Sequence, residues 1–121
     1  MKKSTKISVV IAIIIVALFA FSFNKQNKPG QYDDFAACLT EAGANFYGSF
    51  QCSHCNTQKE MFGNSIKKIN YIECGPLGGP QNLVCQQAKI TAYPTWEFKD
   101  GTKQQGILSL NQLSQKTGCE L

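Results

Sequence analysis

The chain has 121 residues, room for one domain of ordinary size and too few for two. Its apolar share of 43 % is that of a globular protein and argues against general disorder. All 12 basic residues are lysines; three fall in the first six positions, and from Asn24 onward 9 lysines face 8 acids, so the net charge of +4 marks no basic face and nucleic-acid binding is excluded.

Residues 7–23 form an uncharged run of 17, polar only at Ser8 and Ser22, behind Lys2, Lys3 and Lys6. A membrane-spanning helix needs about 17 apolar residues at the least, and the core of a cleaved signal is shorter, about 7–15. Residues 1–23 therefore read as a signal anchor, with removal as a signal peptide the alternative, since Ala20-Phe21-Ser22 offers a cleavage site. No cysteine follows closely enough for a lipid anchor. The leading lysines hold the N-terminus inside, so both readings place the remainder outside the cytoplasm. The expectation is a single-pass membrane protein with an extracytoplasmic C-terminal domain, or a secreted or periplasmic domain after cleavage.

Residues 24–32 are polar, with Pro29-Gly30, and read as a linker. Asp33 is placed to cap a helix through Phe35, Ala36, Leu39 and Ala42 that stops at Gly43. The aromatic stretch 44–50 reads as a strand, with Phe46 and Phe50 on one face and Tyr47 on the other. From Cys52 the pattern is helical, with Cys55, Phe62, Ile66 and Ile69 on one face. Residues 71–74 are a short strand and 75–82 a loop without the ending of a phosphate cradle. Residues 83–89 are a short helix. Residues 95–99 and 102–108 are the arms of a hairpin turning at Asp100-Gly101, with Trp96 and Phe98 inward. Ser109 and Gln112 match a capping box that opens a last helix through Leu110 and Leu113 to Gly118. Helices alternating with strands and then a hairpin predict an α/β domain over residues 33–121, a mixed sheet flanked by helices. At 89 residues it gains from covalent staples.

Six cysteines behind an export signal read first as three pairs, among 15 pairings. Cys52-Ser53-His54-Cys55 follows a strand and opens a helix. A helix start offers unpaired N–H groups and the positive end of the dipole, and both stabilise a thiolate. Cys52, at the exposed end, is the candidate for forming a mixed disulfide, and Cys55, a turn deeper, for resolving it. His54 can stabilise the thiolate. An inert bridge is one alternative; a zinc site from Cys52, Cys55, Cys74 and Cys85 is another, although ten residues separate its second pair where a zinc knuckle has two. A single histidine excludes a histidine-rich metal site. Tyr93-Pro94 leads into the strand at Thr95, where a proline can be cis.

With the pair and the proline together, the chain resembles the thioredoxin-like family. It is similar in particular to the thioredoxin-like domain associated with bacterial vitamin K epoxide reductase homologues. The likeness rests on residues 35–41, 44–48, 52–55, 58–63 and 93–98 and on Gly118-Cys119. It implies a redox-active pair at Cys52 and Cys55 and a cis-Pro94 packed beside them. The backbone of Tyr93 would pair with a bound substrate strand. The likeness is incomplete. Gln51 stands where an aromatic residue is common, Ser53 and His54 occupy positions where proline is frequent, and Phe46 replaces thioredoxin's buried aspartate. No cofactor or metal is implied, because the cysteines carry the electrons.

The implied activity is extracytoplasmic thiol–disulfide exchange, oxidising the thiols of secreted or membrane proteins and using a vitamin K epoxide reductase-like membrane protein as redox partner. A reductase or isomerase would use the same residues. The other cysteines are read as structural pairs, Cys74–Cys85 and Cys38–Cys119, with a redox relay through Cys74 and Cys85 as the functional alternative. A non-catalytic, disulfide-stapled surface domain is the rival from another class.

Overall fold

The computed structural model describes residues 2–26 and 28–121. Helix α1, Lys2–Gln26, carries the apolar run with its large side chains exposed, so it is not a core helix of the domain. At 1.5 Å per residue it is long enough to cross the roughly 30 Å of a bilayer core. It continues through residues 24–26, where the composition reads as linker.

Helix α2, Asp33–Glu41, buries Phe35, Ala36 and Leu39 on one face. Asp33 does not cap it. Tyr32 occupies the cap position without a side-chain cap bond, and its own N–H donates to Ser65 Oγ at 2.8 Å. Asp33 is the first residue of the helix, and its Oδ1 is buried with no hydrogen-bond partner among the described residues.

Four short strands form one mixed sheet in the order β2-β1-β3-β4. They are β1, Asn45–Gly48; β2, Tyr71–Glu73; β3, Thr95–Glu97; and β4, Lys103–Gln105. β1 and β2 run parallel, with Phe46 opposite Tyr71 and Gly48 opposite Glu73. Their connection carries α3, Ser53–Phe62, as a parallel pair requires a crossover. β3 is antiparallel to both β1 and β4, which makes the hairpin around Asp100-Gly101.

Each strand is shorter than its apolar pattern. Phe50 lies beyond the end of β1 and is 58 % exposed, so it does not share the buried face of Phe46. The run from Cys55 to Ile69 is also not one helix. Gly63 adopts φ +54°, a conformation costly for other residues, and ends α3; residues Gly63–Lys68 continue as 3-10 helix. Cys55, Phe62 and Ile69 still reach the same core.

On one side of the sheet Phe46 stacks on Trp96 with ring centroids 4.9 Å apart. Phe35 and Leu39 of α2, Cys55 and Phe62 of α3, and Leu113 of α5, Leu110–Thr117, complete this cluster. Tyr47 points the other way, into a smaller cluster with Cys74, Cys85 and Ile90, where α4, Leu83–Gln87, packs. Gln58 is the polar anchor of the larger core. Its Nε2 donates to the Leu108 carbonyl at 2.9 Å, and its Oε1 accepts from Trp96 Nε1 at 3.1 Å and Leu108 N–H at 2.8 Å. α5 opens on the capping box of Ser109 and Gln112 and ends at Gly118. Cys38 on α2 is bonded to Cys119, and Cys74 to Cys85.

Candidate redox site

β1 ends at Gly48, and the chain turns through a bond from Cys52 N–H to the Ser49 carbonyl at 3.1 Å. Cys52 is thereby the N-cap of α3, with extended φ and ψ of −83° and 116°. Its Sγ accepts the Cys55 N–H at 3.3 Å, the place a capping oxygen takes in other helices. No acidic residue lies in the first turn, so the positive end of the helix dipole acts on this sulfur uncompensated.

The two thiols are free and differ in surroundings. Cys52 is 7 % exposed and Cys55 is 0 % exposed. Burial pushes the Cys55 thiol up to about 12, and the hydrogen bond with Cys52 adds to the rise. The arrangement puts the Cys52 sulfur at the N-terminal end of α3 and holds Cys55 as a protonated thiol behind it.

The Cys52 thiol donates to the Tyr93 carbonyl at 3.7 Å. The Tyr93-Pro94 peptide is cis, and it leads directly into β3 beside β1. The fold is thioredoxin-like. In this thioredoxin-like frame Cys52, Cys55, Tyr93 and Pro94 come together. His54 is exposed on the first turn of α3, and its ring makes no hydrogen bond to the described residues.

Loop 75–82 forms the second wall. Ser49 Oγ donates to the Gly75 carbonyl at 2.6 Å, and Leu77 N–H donates to Gln51 Oε1 at 2.9 Å. Gln81 Nε2 donates to Tyr93 Oη at 2.5 Å and to the Ile90 carbonyl at 3.0 Å. The loop thus holds both the segment before Cys52 and the segment before Pro94, and the Cys74–Cys85 bond closes its base. Leu77, 52 % exposed, and Phe50 offer apolar surface along this wall.

Behind Cys55 lies a polar group that motif reading does not find. Tyr71 Oη donates to Glu73 Oε2 at 2.6 Å. Glu73 Oε1 accepts from the N–H groups of Phe50 at 3.1 Å and Gly75 at 3.0 Å. Lys59 Nζ stands 3.7 Å from the centre of the Tyr71 ring. Burial raises the Tyr71 hydroxyl, with the bond to Glu73 adding. Burial also pushes the Glu73 carboxyl upward, but the donated hydrogen bonds outweigh it and hold Glu73 below the usual carboxylate range. The available signal was the Tyr71-x-Glu73 alternation, which puts both side chains on one face of a strand.

No family model matches the chain. Over 88 residues, 69 % of this chain, it is 43 % identical to the thiol-disulfide oxidoreductase LTO1 of Arabidopsis thaliana. The chain spans 23 % of that relative's length.

Proposed function

We propose that this protein is a thiol–disulfide oxidoreductase that works through Cys52 and Cys55. The observation that carries the reading is the capping geometry of Cys52. Its sulfur sits on the N–H of Cys55 at the start of α3, beside the cis-Pro94 turn. The similarity to a named thiol-disulfide oxidoreductase supports it.

In the oxidising direction a partner thiolate attacks Cys52 Sγ of the Cys52–Cys55 disulfide. The intramolecular S–S bond breaks, its electron pair leaves on Cys55, and a Cys52–partner disulfide forms. A second partner thiolate then attacks the partner's sulfur in that mixed disulfide. Cys52 departs as thiolate, stabilised by the helix terminus, and the partner leaves with its own disulfide. The backbone of Tyr93 and Pro94 borders Cys52 and is placed to align an extended partner segment.

The proposed setting is extracytoplasmic, with α1 as membrane anchor or export signal. Two disulfides outside the reactive pair favour an oxidising compartment, and the lysines ahead of the apolar run favour that orientation. The proposed redox partner, a vitamin K epoxide reductase-like membrane protein, would reoxidise Cys52–Cys55; the support is the family resemblance of the sequence.

The test is thiol trapping against a glutathione series. One cysteine pair should reduce well before the other two, and Cys55→Ala should accumulate mixed disulfides that are absent from Cys52→Ala. Equal resistance of all three pairs, with no trapped partner, would reduce the protein to a stapled binding domain.

A further inference from the structure

Resting on the reading of Cys52–Cys55 as an exchanging pair, the resolving sulfur poses its own problem. Whenever Cys55 acts as nucleophile or leaving group it carries negative charge, and it is sealed from solvent. Cys52, bonded to the partner at that moment, cannot help. Ser49 N–H faces the sulfur from the turn after β1. β1 itself presents Phe46, which has no polar atom to offer. From α3 the charged neighbour is Lys59, and from β2 the groups are Tyr71 and Glu73.

The geometry of Gly48 brings Tyr71 to Cys55. A Cβ at Gly48 would stand 3.0 Å from Cys55 Sγ, 2.9 Å from Tyr71 Cε2 and 3.2 Å from Tyr71 Oη. The ring edge and the sulfur thus share the space that a side chain would fill, and only glycine leaves it open. Tyr71 packs edge-on against Phe46 at 5.0 Å, which holds the ring in place, and its hydroxyl donates to Glu73 Oε2 at 2.6 Å.

We propose that Tyr71 is a two-position donor serving Cys55: its O–H rests on Glu73 and turns to the Cys55 sulfur when that atom becomes a thiolate. Lys59, stacked over the same ring, adds a positive field, and Glu73 is a positioning residue that holds the hydroxyl at rest. Tyr71 keeps its proton throughout. In resolution with glutathione, Cys55 attacks Cys52 of the Cys52–glutathione disulfide, the Cys52–Cys55 bond forms, and glutathione leaves with the electron pair and takes up the proton that Cys55 gives up.

The experiment is a single turnover of the full-length reduced protein with oxidised glutathione, acid-quenched and followed by mass spectrometry from pH 6 to 9. Cys52 reactivity is measured separately as iodoacetamide alkylation in the Cys55→Ala background. Loss of a hydrogen bond to a charged sulfur should slow resolution about tenfold in Tyr71→Phe, moving its pH profile up by about one unit. Lys59→Met should slow it less, and Cys52 alkylation should be unchanged in both. Tyr71→Phe keeps the ring and its packing and carries the test; Lys59→Met, a partly exposed change, reads the added field. Parental resolution in Tyr71→Phe, or equal slowing of alkylation and resolution, overturns this inference and leaves the exchanging pair standing. A parent protein that keeps its glutathione indefinitely overturns the exchanging pair itself.

Discussion

Cys52 and Cys55 are separated by a single helical turn and are both buried, yet their sulfurs meet different neighbours. Cys52 caps α3 beside the Tyr93 carbonyl; Cys55 is fully enclosed beside Gly48 and Tyr71 at the sheet. This asymmetry has a thermodynamic consequence. A free thiol ionises near pH 8.5, and folding raises Cys55 to about 12. The reduced fold is therefore favoured fully below pH 8.5 and loses that contribution as pH climbs toward 12, because the unfolded chain releases its proton first. Thermal melts of the reduced form should fall faster between pH 8 and 10 than those of Cys55→Ala; parallel curves would contradict the burial of this thiol. The Cys-x-x-Cys segment was legible because helix-start chemistry is local. Tyr71 and Glu73 were not, since their nearness to Cys55 depends on β1 and β2 lying parallel, a pairing of Gly48 with Glu73 that no short window contains.

Among the elements, the order of helices and strands in the domain follows from periodicity, and the deviations have physical causes. Gly63 divides a continuous-looking apolar face into α3 and a 3-10 segment. Ser65 then accepts the Tyr32 N–H ahead of α2, a contact between positions 33 apart that local composition does not reveal. Loop 75–82 looked like punctuation, but it is tied to Gln51 on one side and Tyr93 on the other. Its disulfide closes a loop of sequence separation 11, worth close to 3 kcal/mol in the chain-entropy treatment. Replacing Cys74 and Cys85 by alanine should lower urea stability by about that amount. The same change should speed hydrogen exchange at Leu77 N–H, while Phe46 N–H in the sheet stays protected relative to global opening. Exchange at Leu77 that tracks only the global loss would show that the loop holds its place without the bond.

At the scale of the molecule, Glu97 links three strands. Its carboxylate meets Lys103 Nζ at 2.8 Å, Tyr47 Oη at 3.2 Å and Asn45 Nδ2 at 3.3 Å. Burial raises its carboxyl, but these partners outweigh it and hold the group below the usual range. A depressed carboxylate contributes stability above its unfolded value of about 4.3 and loses it as pH falls through the folded one. Lowering pH from 6 to 3 should therefore cost the parent more melting temperature than Glu97→Gln; an equal drop would assign the acid limb to other groups. The Cys38–Cys119 bond spans 81 positions and fastens the last residues to α2, so in a domain this small the tail is part of the fold.

The segment between α1 and α2 is fastened as well. The Lys28 carbonyl accepts Lys67 Nζ at 3.2 Å, and Gly30 lies so close to Ser65 that a Cβ would collide with its hydroxyl. Docking begins two residues after α1 ends at Gln26. With α1 lodged in a bilayer, the globular part rides low on a short leash. If the proposed anchoring holds, a partner thiol would be met by lateral diffusion along the membrane face, and one in the surrounding fluid would have to descend to that surface.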